Sequence, residues 1–140
     1  MNQTIGPDAM STYCLHTQCN QCCRQTNMLL TTRDIERITN LGYDRTFFVE
    51  ERHDWLQLRN AHGRCVFHTG DRCSVYDHRP EGCRLYPVVY DADHHRAILD
   101  AECPQRHRFS LGERHIQTLK QLIETLHCER SQRIKTRKNP

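Results

Sequence analysis

The chain has 140 residues, a length that suits one domain. Hydrophobic residues make up 36%, against about 45–50% in ordinary domains on a scale that also counts glycine, so the chain is not rich in core material and a cross-link or a metal is expected to support the fold. The net charge of +3 is too small to argue for nucleic acid, and no run approaches the about 18–20 apolar residues of a membrane span.

Residues 1–12 read as a flexible N-terminus. The opening MNQTIGPDAM has neither the basic region nor the apolar region of a signal peptide, so a cytoplasmic setting is expected. Tyr13 to Arg24 is dense in cysteine and polar residues and lacks periodicity, as a ligand loop would. Thr31-Thr32-Arg33-Asp34 predicts a helix start, with a hydroxyl N-cap and an acid in the first turn. Ile35, Ile38 and Leu41 follow at helical spacing, and Gly42 supplies the stop. Asp44 is expected to cap a short second helix through Phe47, Phe48 and Glu51.

Trp55 to Leu58 alternates as a strand does, and Arg64 to His68 is its expected partner across the turn Asn60-Ala61-His62-Gly63. Cys73 to Tyr76 is short and β-prone, and Arg79-Pro80 opens a tight segment with one helical turn up to Leu85. Pro87 to Tyr90 and Arg96 to Leu99 predict a hairpin around Asp91 to His95. Ser110-Leu111-Gly112-Glu113 has the form of a capping box. Ile116, Leu119, Leu122, Ile123 and Leu126 then form an apolar stripe on a helix from Leu111 to about Cys128. Beyond it, residues 129–140 carry Arg130, Arg133, Lys135, Arg137 and Lys138 against one acid, and read as a basic, solvated C-terminal tail. The expectation is a small, irregular α+β domain over residues 13–128, stabilised by metal, with short strands and a C-terminal helix.

The nine cysteines cannot all pair within one chain, and their number in a chain without an export signal points to metal or redox chemistry. One group is Cys14, Cys19, Cys22 and Cys23; the other is Cys65, Cys73, Cys83 and Cys103. Two intervening residues, as between Cys19 and Cys22, let both thiolates converge on one ion. The adjacent Cys22 and Cys23 suit two corners of a larger cluster or two neighbouring centres better than one mononuclear ion. Arg24, Arg79 and Arg84 lie near the cysteines and could donate hydrogen bonds to sulfur, as could Arg72. Four thiolates suit zinc or an iron–sulfur cluster equally well. Among the ten histidines, His68 and His16 are the candidates for a mixed site, whereas His94-His95 sits in a turn and reads as solvent-exposed. Asp34 reads as a cap, Tyr76 and Tyr86 as packing residues, and Cys128 as a small buried residue on the last helix.

Cys19-x2-Cys22-Cys23-Arg24, Leu30-Thr31-x2-Asp34-Ile35, Cys65-x-Phe67 and the segment from Cys73-Ser74-Val75-Tyr76 through Arg79-Pro80, Cys83-Arg84 and Tyr86-Pro87 follow one another in that order. In this the chain resembles the YkgJ-type cysteine-cluster family, a zinc- or iron-chelating domain with a CxxCxxCC motif that is similar to a domain of the flagellin N-methylase proteins. The likeness runs from about Tyr13 to Cys103. Its first gap, Cys14 to Cys19, is longer than the family's two or three residues. The resemblance implies eight ligands: Cys14, Cys19, Cys22, Cys23, Cys65, Cys73, Cys83 and Cys103. It implies zinc or iron and no particular activity; the cofactor expected is an iron–sulfur cluster, 4Fe–4S first, or zinc.

Three functions compete. The first is a metal-binding module with an electron-transfer, redox-sensing or structural role, iron–sulfur slightly ahead of zinc. The second, by analogy with flagellin N-methylase, is cluster-assisted protein methyl transfer; no glycine-rich nucleotide loop supports it. The third is a zinc-stabilised nucleic-acid-binding module using the basic tail, ranked last because no aromatic-rich basic face accompanies it. Metal and a protein partner are expected, and no membrane.

Overall fold

In the computed structural model the described residues are 27–69, 72–101, 103, 107 and 109–138. In chain order they form helix α1 (Thr32–Thr39), a short helix α2 (Arg45–Phe48), strands β1 (Val49–Arg52), β2 (Trp55–Leu58), β3 (Asn60–Ala61) and β4 (Arg64–Cys65), a 3-10 turn at Tyr76–His78, helix α3 (Glu81–Leu85), strands β5 (Val88–Asp91) and β6 (Arg96–Leu99), and helix α4 (Glu113–Lys138). The strands pair as three separate antiparallel hairpins, β1–β2, β3–β4 and β5–β6. The result is a small α+β fold. No helix among the described residues is long and apolar enough to cross a membrane.

Two apolar clusters sit under these elements. Leu30, Ile35, Ile38, Phe48, Val49, Leu56, Leu58, Cys65, Phe67 and Val75 form the first. Leu85, Val88, Phe109, Leu119, Leu122 and Leu126 form the second, beneath α4. The stripe expected on the last helix is thus its buried face. Helix α1 starts as its sequence predicts: the Asp34 amide donates to Thr31 Oγ1 at 3.0 Å, and the Thr31 amide donates back to Asp34 Oδ2 at 3.1 Å. Gly42 follows the helix with a φ of 107°, and Leu41, outside the core, is exposed.

Four expectations need correction. Val49 to Arg52 is a strand, so the second helix stops at Phe48 and does not reach Glu51. The partner of Trp55–Leu58 is this strand, in the register Arg52↔Trp55, and not Arg64–His68. The tight turn between them is His53-Asp54, both at positive φ, 54° and 67°. That is the geometry of a two-residue hairpin that Asn-Gly would have announced and His-Asp does not. Arg64–Cys65 pairs instead with Asn60–Ala61. The last helix does not end near Cys128 but runs to Lys138; no glycine or proline interrupts it, and cations in its last turn favour the negative end of the helix dipole. Most of the supposed tail is therefore helix. Cys128 is exposed on it, because two residues past the buried Leu126 the helix has turned by about 200° to the opposite face.

Asp34 does more than cap its own helix. It is 1% exposed, and its Oδ1 accepts the Glu81 amide at 3.0 Å. Glu81 opens α3, whose N-cap position holds Pro80, a residue without a capping side chain. Asp34 supplies the missing acceptor from 47 residues away. Arg37 Nη2 donates to Asp34 Oδ1 at 3.0 Å and to the Arg79 carbonyl at 2.7 Å, closing the bracket. Replacing Asp34 by Ala removes an N-terminal cap and leaves a buried donor unpaired. The expected loss is about 2–4 kcal/mol of unfolding free energy, and Asp34→Asn, which keeps an acceptor, should lose less; urea unfolding followed by circular dichroism checks both.

Candidate metal centre

Cys65, 5% exposed, is paired opposite Asn60 in the β3–β4 hairpin. Its carbonyl accepts the His68 amide at 2.9 Å, turning the chain so that His68 bridges Cys73 in an isolated antiparallel pair. The Ser74 amide donates to the Phe67 carbonyl at 2.8 Å and holds the same turn. Phe67 anchors this unit in the core, edge-on to Tyr43 with ring centroids 5.0 Å apart and tilted against Phe48 at 5.4 Å. Cys83 sits in α3, the helix bracketed by Asp34. Cys73 and Cys83 are half-buried and lie against the cluster that contains Cys65. Three of the second group's thiols therefore border one core.

Cys103 is 3% exposed and is positioned from the far end of α3. The Tyr86 hydroxyl donates to Asp100 Oδ2 at 2.8 Å, the Asp100 amide to the Pro87 carbonyl at 2.7 Å, and the Cys103 amide to the Asp100 carbonyl at 3.1 Å. Tyr86 is thus more than a packing residue, and Asp100 is a positioning residue that the sequence does not advertise. The arginines differ in surroundings. Arg79 donates through Nε to the Tyr76 carbonyl at 2.8 Å and lies over the Tyr76 ring at 3.9 Å, clasping the 3-10 turn ahead of α3. Arg84 is half-buried on α3 itself, and Arg72 is exposed.

His94 and His95 are exposed in the β5–β6 turn, as expected. His94 Nδ1 lies 2.8 Å from Asp91 Oδ2, and that hydrogen bond holds the Asp91 carboxyl below its ordinary pKa.

Cys14, Cys19, Cys22, Cys23, His16 and Arg24 lie outside the described residues. The chain re-enters at Asn27, and its next residues are held tightly. Leu30 N donates to the Leu56 carbonyl at 2.7 Å, and Leu58 N to the Met28 carbonyl at 2.9 Å, so Met28 to Leu30 lies along β2. Met28 also packs onto Gly82, next to Cys83. A Cβ on Gly82 would collide with the Met28 sulfur, so glycine is what permits this close approach.

Among the described residues, no three His, Cys, Asp or Glu side chains gather as a metal-ligating group. Cys65, Cys73, Cys83 and Cys103 do not close a site by themselves. The donors are nevertheless soft thiols, two buried and two half-buried, which is a set that fits zinc or iron.

The family model that matches is CxxCxxCC, "Putative zinc- or iron-chelating domain", over residues 13–109. No curated protein and no solved structure matches the chain. The match takes in both cysteine groups and well over half the chain, and the protein belongs to this zinc- or iron-chelating CxxCxxCC family.

Proposed function

We propose that the protein is a metal-binding module in which Cys14, Cys19, Cys22 and Cys23 meet Cys65, Cys73, Cys83 and Cys103 to hold an iron–sulfur cluster or zinc, with Arg24 and Arg84 near the sulfurs and Arg79 shaping the turn before Cys83. The observation that carries this reading is the docking of Met28 on Gly82. Cys23 is five residues before Met28, and five residues of chain span at most about 17 Å. Met28 itself is seated beside Cys83, on the core edge shared with Cys65 and Cys73, which supports bringing the two cysteine groups together.

Adjacent Cys22 and Cys23 favour a polynuclear cluster over a single ion, which puts iron–sulfur slightly ahead of zinc. Either would cross-link three elements that the modest core joins only loosely, and a cluster would in addition carry an electron. The protein's own contribution is to present the thiols from short, separately braced elements.

Protein purified without oxygen is expected to be brown, with broad visible absorbance and acid-labile sulfide in proportion to iron. Colourless protein with zinc and no sulfide would assign zinc instead, and metal-free folded protein would overturn the reading. Cys83→Ser is expected to weaken metal retention by more than about a hundredfold, the upper range for loss of an outer-shell partner. Cys128→Ser, exposed on α4, should retain metal as the wild type does. Stripping the metal with a strong chelator should lower the melting temperature measured by circular dichroism, because binding free energy contributes to folding.

A further inference from the structure

The family match ends at residue 109, yet the helix beyond it grips the segment that leads out of the first cysteine group. Glu129 accepts the Thr32 amide through both carboxylate oxygens, at 2.9 and 3.1 Å. Thr32 is the first residue of α1, so Glu129 caps that helix from 97 residues away, at the end where a negative charge is favoured. From the very next residue, three arginines at helical spacing hold the β1–β2 turn. Arg130 donates through Nε and Nη2 to the His53 carbonyl at 3.2 and 3.0 Å. Arg133 donates in the same way to the Asp54 carbonyl at 3.1 and 2.7 Å. Arg137 pairs with the carboxylates of Asp54 and Glu51. Trp55 is enclosed between the Arg130 guanidinium, 4.7 Å from its centroid, and the His127 ring at 5.2 Å.

These contacts converge on the two elements that flank Met28 to Thr31. The hairpin supplies the strand along which Met28, Leu29 and Leu30 lie, and α1 begins at the next residue but one. Resting on the metal-centre reading above, we infer that Glu129 and Arg133 are positioning residues for the metal: the C-terminal helix clamps the Met28–Thr31 strap that packs on α3 beside Cys83. Without the clamp, the strap can lift from β2 and Met28 can leave its seat on Gly82 beside Cys83. The basic residues of the C-terminal segment then serve an internal purpose, since three of the five contact the hairpin.

The test uses the full-length, metal-loaded protein and the variants Glu129→Ala, Glu129→Gln, Arg133→Met and Arg133→Lys, with Glu124→Gln on the exposed face of the same helix as control. The rate of metal transfer to a chromogenic chelator is measured beside helical content by circular dichroism, with the thiolate-to-metal absorption bands of Co²⁺-substituted protein as a report on ligand geometry. Glu129→Ala and Arg133→Met are expected to release metal about tenfold faster at unchanged helical content, at the lower edge of outer-shell effects, with altered Co²⁺ bands. Glu129→Gln and Arg133→Lys should be partly rescued, and Glu124→Gln should match the wild type. If Ala or Met disrupts the helix, the Gln and Lys variants carry the comparison. Wild-type rates and bands in all variants would overturn the clamp while leaving the metal centre standing; a wild type that binds no metal would overturn both.

Discussion

A single buried carboxylate organises the region around the cysteines. Asp34 closes the capping box of α1 and, with its other oxygen, caps α3, the five-residue helix that carries Cys83. A helix that short has little stability of its own, because nucleation is costly and few internal bonds follow. It exists here because its first amide has a partner supplied from outside, because Arg37 ties the preceding carbonyl to the same group, and because Leu85 is buried at its end. Removing water from a carboxylate is costly unless its lone pairs are filled, and at Asp34 two amides and a guanidinium fill them.

The same device recurs at the other end of the strap. Glu129 reaches across to the amide that starts α1, so this helix is capped locally by Thr31 and remotely by the C-terminal helix. Helix N-termini leave several amides without intrahelical partners, and this fold uses those amides as joints between elements distant in sequence. Such joints suit a chain with few aromatic residues and three unconnected hairpins. They give direction and register where a large core would otherwise do so.

The thiols fit this economy of contacts. Cys65, Cys73 and Cys83 stand at the margin of the first core, and Cys103 hangs from the Tyr86–Asp100 link just past α3. Cys65 stands in a two-residue strand, Cys73 in an isolated bridge, Cys83 in the five-residue α3 and Cys103 in the segment after β6, so short elements rather than a continuous sheet hold them. Elements joined this loosely are those a polythiolate centre can cross-link to most effect.

Local signals were legible in the sequence. The capping box at Thr31 and Asp34, the hairpin from Val88 to Leu99, the helical turn at Glu81–Leu85, the apolar stripe of α4 and the cysteine motif are all written in residues a few positions apart, and short-range sterics and hydrogen bonding decide them. The partner of β2 was not, because His53-Asp54 adopts a turn that other residue pairs favour more strongly. The reach of α4 to Lys138 and the exposure of Cys128 were missed because the charges beyond residue 128 read as a solvated tail until their partners at His53, Asp54 and Glu51 are seen. Asp34 could be recognised as a cap but not as the cap of a second helix. The sequence by itself determined the family and the local elements; the tertiary structure alone decided which distant amide Asp34 and Glu129 satisfy, across 47 and 97 positions, and which thiols border one core, since both depend on packing between elements rather than on neighbouring residues.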